Sequence, residues 1–291
     1  MINSVLRGCA AACIVVSFIH AAEARSPLRI FDRWKQPVEP FKIFGDIYYV
    51  GTAGLAAYLI ADGEQAILLD GTLAENAAAI EKNIAALGFK LSNVKIILNS
   101  HAHVDHAGAI AKLKRDSNAI FYASAGDRWA LENGAHDGDT TYAPASFPAV
   151  KVDREVRDGD TVSLGAVKLT ATLTPGHTKG CTTWSTTASE GGRTLRVIFP
   201  CSLNSPGNVL VGNKAYPNIV ADYERSFAIV DKMKADIALP AHPEAGEVLE
   251  RGARRKDGDE NAFVDPGLLQ RIVAQSRAGF KADLEKQKRS K

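Results

Sequence analysis

Three separate segments place a histidine directly after a short apolar run: VKIILNSHAHVDH (94–106), LTATLTPGHTKG (169–180) and DIALPAHPEAG (236–246). Short runs rich in Val, Ile and Leu, ended by Pro, Gly or Asn, read as strands. Loops at strand ends, held by a rigid sheet, are where functional side chains are commonly gathered. The chain is therefore expected to build sheets whose strand ends bring these segments together. The densest segment puts His101, His103, Asp105 and His106 within six residues. Neutral imidazole and carboxylate suit Zn²⁺, and a catalytic zinc keeps three protein ligands with one position left for water. With His177 and His242 the candidates number six, enough for two such ions. His136, in the Gly- and Asp-rich loop ENGAHDGD, reads as a surface residue. Lys179 reads either as a source of positive potential for an anionic substrate or as a solvated lysine. Asp70 reads either as an acceptor that orients a ligand imidazole or as a turn residue.

The residues around these segments set the frame. A content of 46% hydrophobic and 23% charged residues is that of a globular protein. The formal charge of +2 is scattered, so nucleic acid is not an expected partner. Arg7, the apolar run Ala10 to Ile19 and Ala22-Glu23-Ala24 form the pattern of a secretory signal over residues 1–24. A single domain is expected over 25–291, exported to the periplasm, with no membrane span once the signal is removed. KIFGDIYYV (42–50), AAYLIAD (56–62) and QAILLDG (65–71) read as a strand meander. Thr72 and Glu75 fit a capping box for a helix carrying Ile80, Ile84 and Leu87, which Gly88 would close. A second helix begins over Ala109 to Lys114, a third covers Tyr223 to Lys234, and a long one carries Leu268, Leu269, Ile272, Val273, Phe280 and Leu284, with Lys286 to Lys291 expected to fray. The pattern suggests sheets packed on each other with helices outside. Export leaves Cys181 and Cys201, at the two ends of CTTWSTTASEGGRTLRVIFPC. A hairpin centred on Gly191 sets them opposite each other at bridging distance, whereas a bulge or slipped register leaves two buried thiols.

HAHVDH together with TPGHTKG and LPAHP resembles the metallo-β-lactamase superfamily. The likeness extends from PFKIFGDIYYVGT through SLNSPGNVLVG and DYERSFA and is greatest to the third subclass of class B β-lactamases. It implies an αββα sandwich, two packed mixed sheets with helices on both outer faces, and a dinuclear zinc site at one edge. Carried over by motif position, His101, His103 and His177 hold the first Zn²⁺, and Asp105, His106 and His242 the second. The implied reaction is hydrolysis of the β-lactam amide, a small-molecule substrate, by a metal-bound hydroxide that Asp105 orients. Thioesterases and lactonases of the superfamily carry a bridging aspartate where this chain has Ser202 in FPCSLNS. Ser202 and Asn204 are therefore expected to face the substrate carboxylate, although many relatives have serine at the latter position. The protein is expected to be a monomer; a periplasmic hydrolase of lactones or thioesters and a non-catalytic zinc-binding protein are the competing readings.

Overall fold

The computed structural model describes residues 27–290, so the leader expected over 1–24 lies outside the described residues. Helix α1 (Pro27–Lys35) is followed by β1 (Phe41–Phe44), β2 (Ile47–Tyr49), β3 (Tyr58–Asp62), β4 (Gln65–Leu69), α2 (Ala77–Ala86) and β5 (Val94–Leu98). Next come α3 (Val104–Ala107), α4 (Ile110–Ser117), β6 (Ile120–Ser124), α5 (Ala125–Asn133) and β7 (Arg154–Val156). The second half contains β8 (Thr161–Leu164), β9 (Val167–Leu173), β10 (Thr182–Glu190), β11 (Arg193–Phe199), α6 (Ile219–Lys232), β12 (Ile237–Ala238), α7 (Val248–Lys256) and α8 (Leu268–Arg289).

The strands form a seven-stranded sheet in chain order, β1 to β7, and a five-stranded sheet ordered β12-β11-β10-β9-β8. Both are mixed: β4 to β7 pair in parallel after an antiparallel meander, and β12 joins β11 in parallel. Successive strand residues point to opposite faces, and both faces here are apolar. Ile60, Ile67 and Leu69 face inward onto Leu169, Trp184, Val197 and Phe199 of the other sheet. Leu59, Ala61, Ala66 and Leu68 face outward onto Ile80, Ile84, Ile110 and Leu113 of α2 and α4. On the other side, Ile198 and Ala238 pack under Tyr223, Phe227, Leu269, Val273 and Phe280 of α6 and α8. These three apolar layers make the αββα sandwich. Among the described residues no helix is long and apolar enough to cross a membrane.

Three local expectations are corrected. The capping box does not form: α2 starts only at Ala77 behind a 3₁₀ turn (Ala74–Asn76), and Thr72, at φ 56°, accepts through its hydroxyl from Asn76 Nδ2 at 3.1 Å. Gly88, at φ 89°, does follow the helix end. The β10–β11 register runs from Trp184↔Phe199 to Glu190↔Arg193, one residue off the expected one. Its cause is a two-residue turn of Gly191 and Gly192, both at positive φ, the backbone that a tight hairpin requires. Cys181 and Cys201 consequently lie just past the paired residues, yet a disulfide joins them with Cα atoms 5.8 Å apart. Finally, α8 continues to Arg289, because the Gln287 side chain accepts from Leu210 N–H and donates to the Asn208 carbonyl.

Candidate metal centre

The three histidine segments leave the ends of β5, β9 and β12 and meet at one edge of the sandwich. The parallel register sets Leu69 beside Leu98, so Asp70, at the end of β4, reaches the start of the HAHVDH loop. Its carboxylate accepts from Asn99 Nδ2 (2.9 Å), Ser100 N (2.7 Å) and Ser100 Oγ (2.6 Å). Because the Ser100 hydroxyl donates to Asp70, its oxygen is the acceptor for His101 Nδ1 at 2.9 Å. That tautomer leaves the lone pair on Nε2 of His101, a buried atom with no hydrogen-bond partner. His177 is set the same way: Nδ1 donates to the Asn204 carbonyl at 2.7 Å, and Nε2 is left over. Gly176, at φ 137°, lets this loop pass over the Tyr223 ring, where a Cβ would collide.

The donor atoms of His101, His103 and His177 lie within 4.8 Å of one another, and so do those of Asp105, His106 and His242. In the second set, Asp105 Oδ2 lies 3.3 Å from His106 Nε2 and 3.5 Å from His242 Nε2. Asp70 Oδ2 stands 3.5 Å behind His106 Nδ1, so one carboxylate lies behind a member of each set. The ring centroids of His101 and His106 are 4.2 Å apart, which places the sets side by side.

Charge fits a cation at both places. Burial, reinforced by neighbouring imidazoles, pushes His101 well down, burial pushes His103 down, and burial takes His177 to about 4. These rings are neutral at pH 7, the form that ligates a metal. In the second set burial opposes ionisation of both partners, but Asp105 and His106 outweigh it together. Asp105 is held well below the carboxylate range, and His106, facing Asp105 and Asp70, is raised to about 10. Carboxylates that favour a proton on His106 equally favour a metal cation between these side chains. The unpartnered Nε2 of His101 and the two three-donor sets fit a pair of metal ions.

Ser202 and Asn204 both line a cleft of about 710 Å³ that also contains His242, Trp34 and Ser276. Asn204 Oδ1 accepts from Ser276 Oγ at 2.9 Å. Trp34 lies over His242, ring centroids 5.9 Å apart. Two readings change here. His136 is not a surface residue: its Nδ1 lies 3.1 Å from His103 Nε2, because the loop after α5 folds back over the site. Lys179 is half-buried and paired with Asp137 at 2.7 Å, so it is not a free solvated cation. Ser100 and the Asn204 carbonyl escaped notice because a hydroxyl and a main-chain oxygen carry no pattern of their own.

The family model described as the metallo-beta-lactamase superfamily matches residues 53–242. BJP-1, a subclass B3 metallo-beta-lactamase of Bradyrhizobium japonicum, is 42% identical, with 89% of this chain and 98% of that one covered at a TM-score of 0.85. A Cronobacter sakazakii metallo-beta-lactamase with a HARLDQ motif is 39% identical over 90% of this chain and 94% of its own, at a TM-score of 0.85. Where that motif has Arg and Gln, the present chain reads HAHVDH, with His103 and His106. Among curated sequences, an uncharacterised protein of Aquifex aeolicus (strain VF5) is 30% identical over 134 residues, 45% of this chain. The match spans only 59% of that relative's length. Two mixed sheets between helices, paired His and Asp donor sets at their edge and these likenesses lead to one assignment: the chain belongs to the metallo-β-lactamase superfamily and is most like its subclass B3 enzymes.

Proposed function

We propose that this chain hydrolyses the amide bond of β-lactams such as penicillins, cephalosporins and carbapenems, with two Zn²⁺ held by the two donor sets. The observation that carries the reading is the pair of three-donor sets side by side, with His242 of the second set lining a cleft whose wall has Ser202 and Asn204 in place of a bridging carboxylate. His101, His103 and His177 are assigned to the first ion, and Asp105, His106 and His242 to the second. Zinc, when bound, supplies Lewis acidity toward a carbonyl oxygen and acidifies water near neutral pH. Asp70, through Ser100, keeps His101 in its Nδ1–H tautomer, and the Asn204 carbonyl does the same for His177. Asp105 directs one oxygen at His106 and His242, and we assign the other to the proton of the attacking water. Ser276 holds Asn204 Oδ1, which leaves the amide N–H unused by that bond; we assign it, with the Ser202 hydroxyl, to donate to the substrate carboxylate.

In this reading, residues 1–24 are a secretory signal that is removed on export, and 25–291 act in the periplasm as one monomeric domain. A panel of a penicillin, a carbapenem, a homoserine lactone and a thioester tests the substrate class. Turnover of the first two, abolished by a chelator, is expected. Hydrolysis confined to the lactone or the thioester would transfer the site to those substrates, and zinc binding without any hydrolysis would leave a non-catalytic zinc protein.

A further inference from the structure

Asp127, in the first turn of α5, is 3% exposed and forms no ion pair among the described residues. Its carboxylate accepts three hydrogen bonds. Ala102 N–H reaches Oδ2 at 2.9 Å, Thr178 Oγ1 reaches the same oxygen at 2.9 Å, and Gly180 N–H reaches Oδ1 at 2.8 Å. Ala102 lies between His101 and His103, and Thr178 follows His177. One side chain therefore grips both loops that deliver the first donor set, and none of these donors belongs to its own helix.

The approach is built for this grip. Gly126 and Gly180 pack backbone to backbone: a Cβ on Gly126 would collide with the Lys179 carbonyl, and one on Gly180 with Ser124 Oγ and Asp127 N. Ser124 Oγ adds a bond to the Gly180 carbonyl at 2.6 Å. Three converging donors call for a carboxylate, which has about four lone-pair sites, where an amide oxygen has two and a hydroxyl must also place its own hydrogen. Burial raises Asp127 to about 6, and the three donors act against that rise. A buried charge without a cation partner is costly. A dication on the imidazoles next to these donors would offset it.

We propose that Asp127 is a positioning residue for the first metal ion, holding the 101–103 and 177–180 loops at the separation at which His101, His103 and His177 share one cation. This rests on the metal-centre reading above.

The test uses the purified chain stripped of metal and titrated with Zn²⁺ against a chromophoric chelator, and separately with Co²⁺ followed by its visible absorption. Asp127→Asn keeps the shape but turns one acceptor into a donor. It is expected to weaken the first zinc by roughly 10- to 100-fold and to alter the Co²⁺ bands. Thr178→Val, which removes one donor, should show a smaller loss and carries the test if Asp127→Asn does not fold. Val230→Ala, on the buried face of α6, serves as the control and should lower the Tm of the metal-free chain without changing zinc affinity. First-site affinity in Asp127→Asn or Thr178→Val within about twofold of wild type, or reduced only as far as in Val230→Ala, overturns the proposal. Wild type that takes up no zinc overturns the metal-centre reading and this inference together; wild type binding two ions beside an unaffected Asp127→Asn overturns the inference alone.

Discussion

The chemistry of the first donor set turns on which nitrogen carries the hydrogen. His101 and His177 each give Nδ1–H to an oxygen, which leaves both Nε2 lone pairs free in a set whose donor atoms lie within 4.8 Å of one another. Removing the oxygen behind a ligand lets its ring turn and change tautomer. Ser100→Ala is accordingly expected to weaken zinc binding by about 10-fold or more with little change in fold, measured by chelator competition. Asp105→Ala should lower kcat by about 10²- to 10⁴-fold while the circular dichroism spectrum stays that of wild type; unchanged turnover would remove Asp105 from the mechanism. His101, His103, Asp105 and His106 stood out in the sequence because four such side chains within six residues have few purely structural explanations, whereas His177 and His242, each alone after an apolar run, gained weight as candidates only beside that cluster. Asp127 and His136 were not. A lone Asp in the first turn of a helix reads as a helix-dipole partner, and a lone His in a Gly-rich loop reads as solvated; only the fold shows that each faces a ligand loop.

At the level of elements, apolar alternation located the central strands, and the glycine pair of the β10–β11 turn, not the cysteines, decided their register. The AGDRWALEN segment of α5 and the VLERGARRK segment of α7 have few apolar residues to reveal a helical stripe, so both emerge only from tertiary packing. The disulfide closes a loop with a sequence separation of 20, for which chain entropy gives a contribution of about 3 kcal/mol. A Cys181→Ala, Cys201→Ala variant should lose about that much stability in urea unfolding, and a midpoint equal to that of wild type would show that the bridge contributes nothing. Where β12 begins, Arg196 holds Asp236 down to about 2, first by a side-chain hydrogen bond. The folded pKa lies below the unfolded value, so this contribution is complete above about pH 4 and is lost as pH falls through about 2. Asp236→Asn should therefore lower stability at pH 7 by less than about 1 kcal/mol, since the pair is partly exposed. Near pH 2 variant and wild type should melt together; a difference that persists there would show that the charge is not the cause.

The whole molecule is a pair of twisted sheets whose mutual face and two outer faces are all apolar, leaving the edge as the place where polar side chains collect. The stacking of sheets with helices outside was legible in the order of apolar runs. The strand order was not: periodicity carries no record of which strands pair, and the return of β12 to the side of β11 depends on contacts about 40 residues apart. That return sets His242 against Asp105 and completes the second donor set. We propose that both sets act together on a β-lactam. Carbapenem turnover by metal-stripped protein, followed as Zn²⁺ is added back, tests this joint action. No turnover is expected without metal, and a rise that reaches its plateau at two equivalents per chain. Undiminished turnover in the stripped protein, or none after two ions are bound, would contradict it.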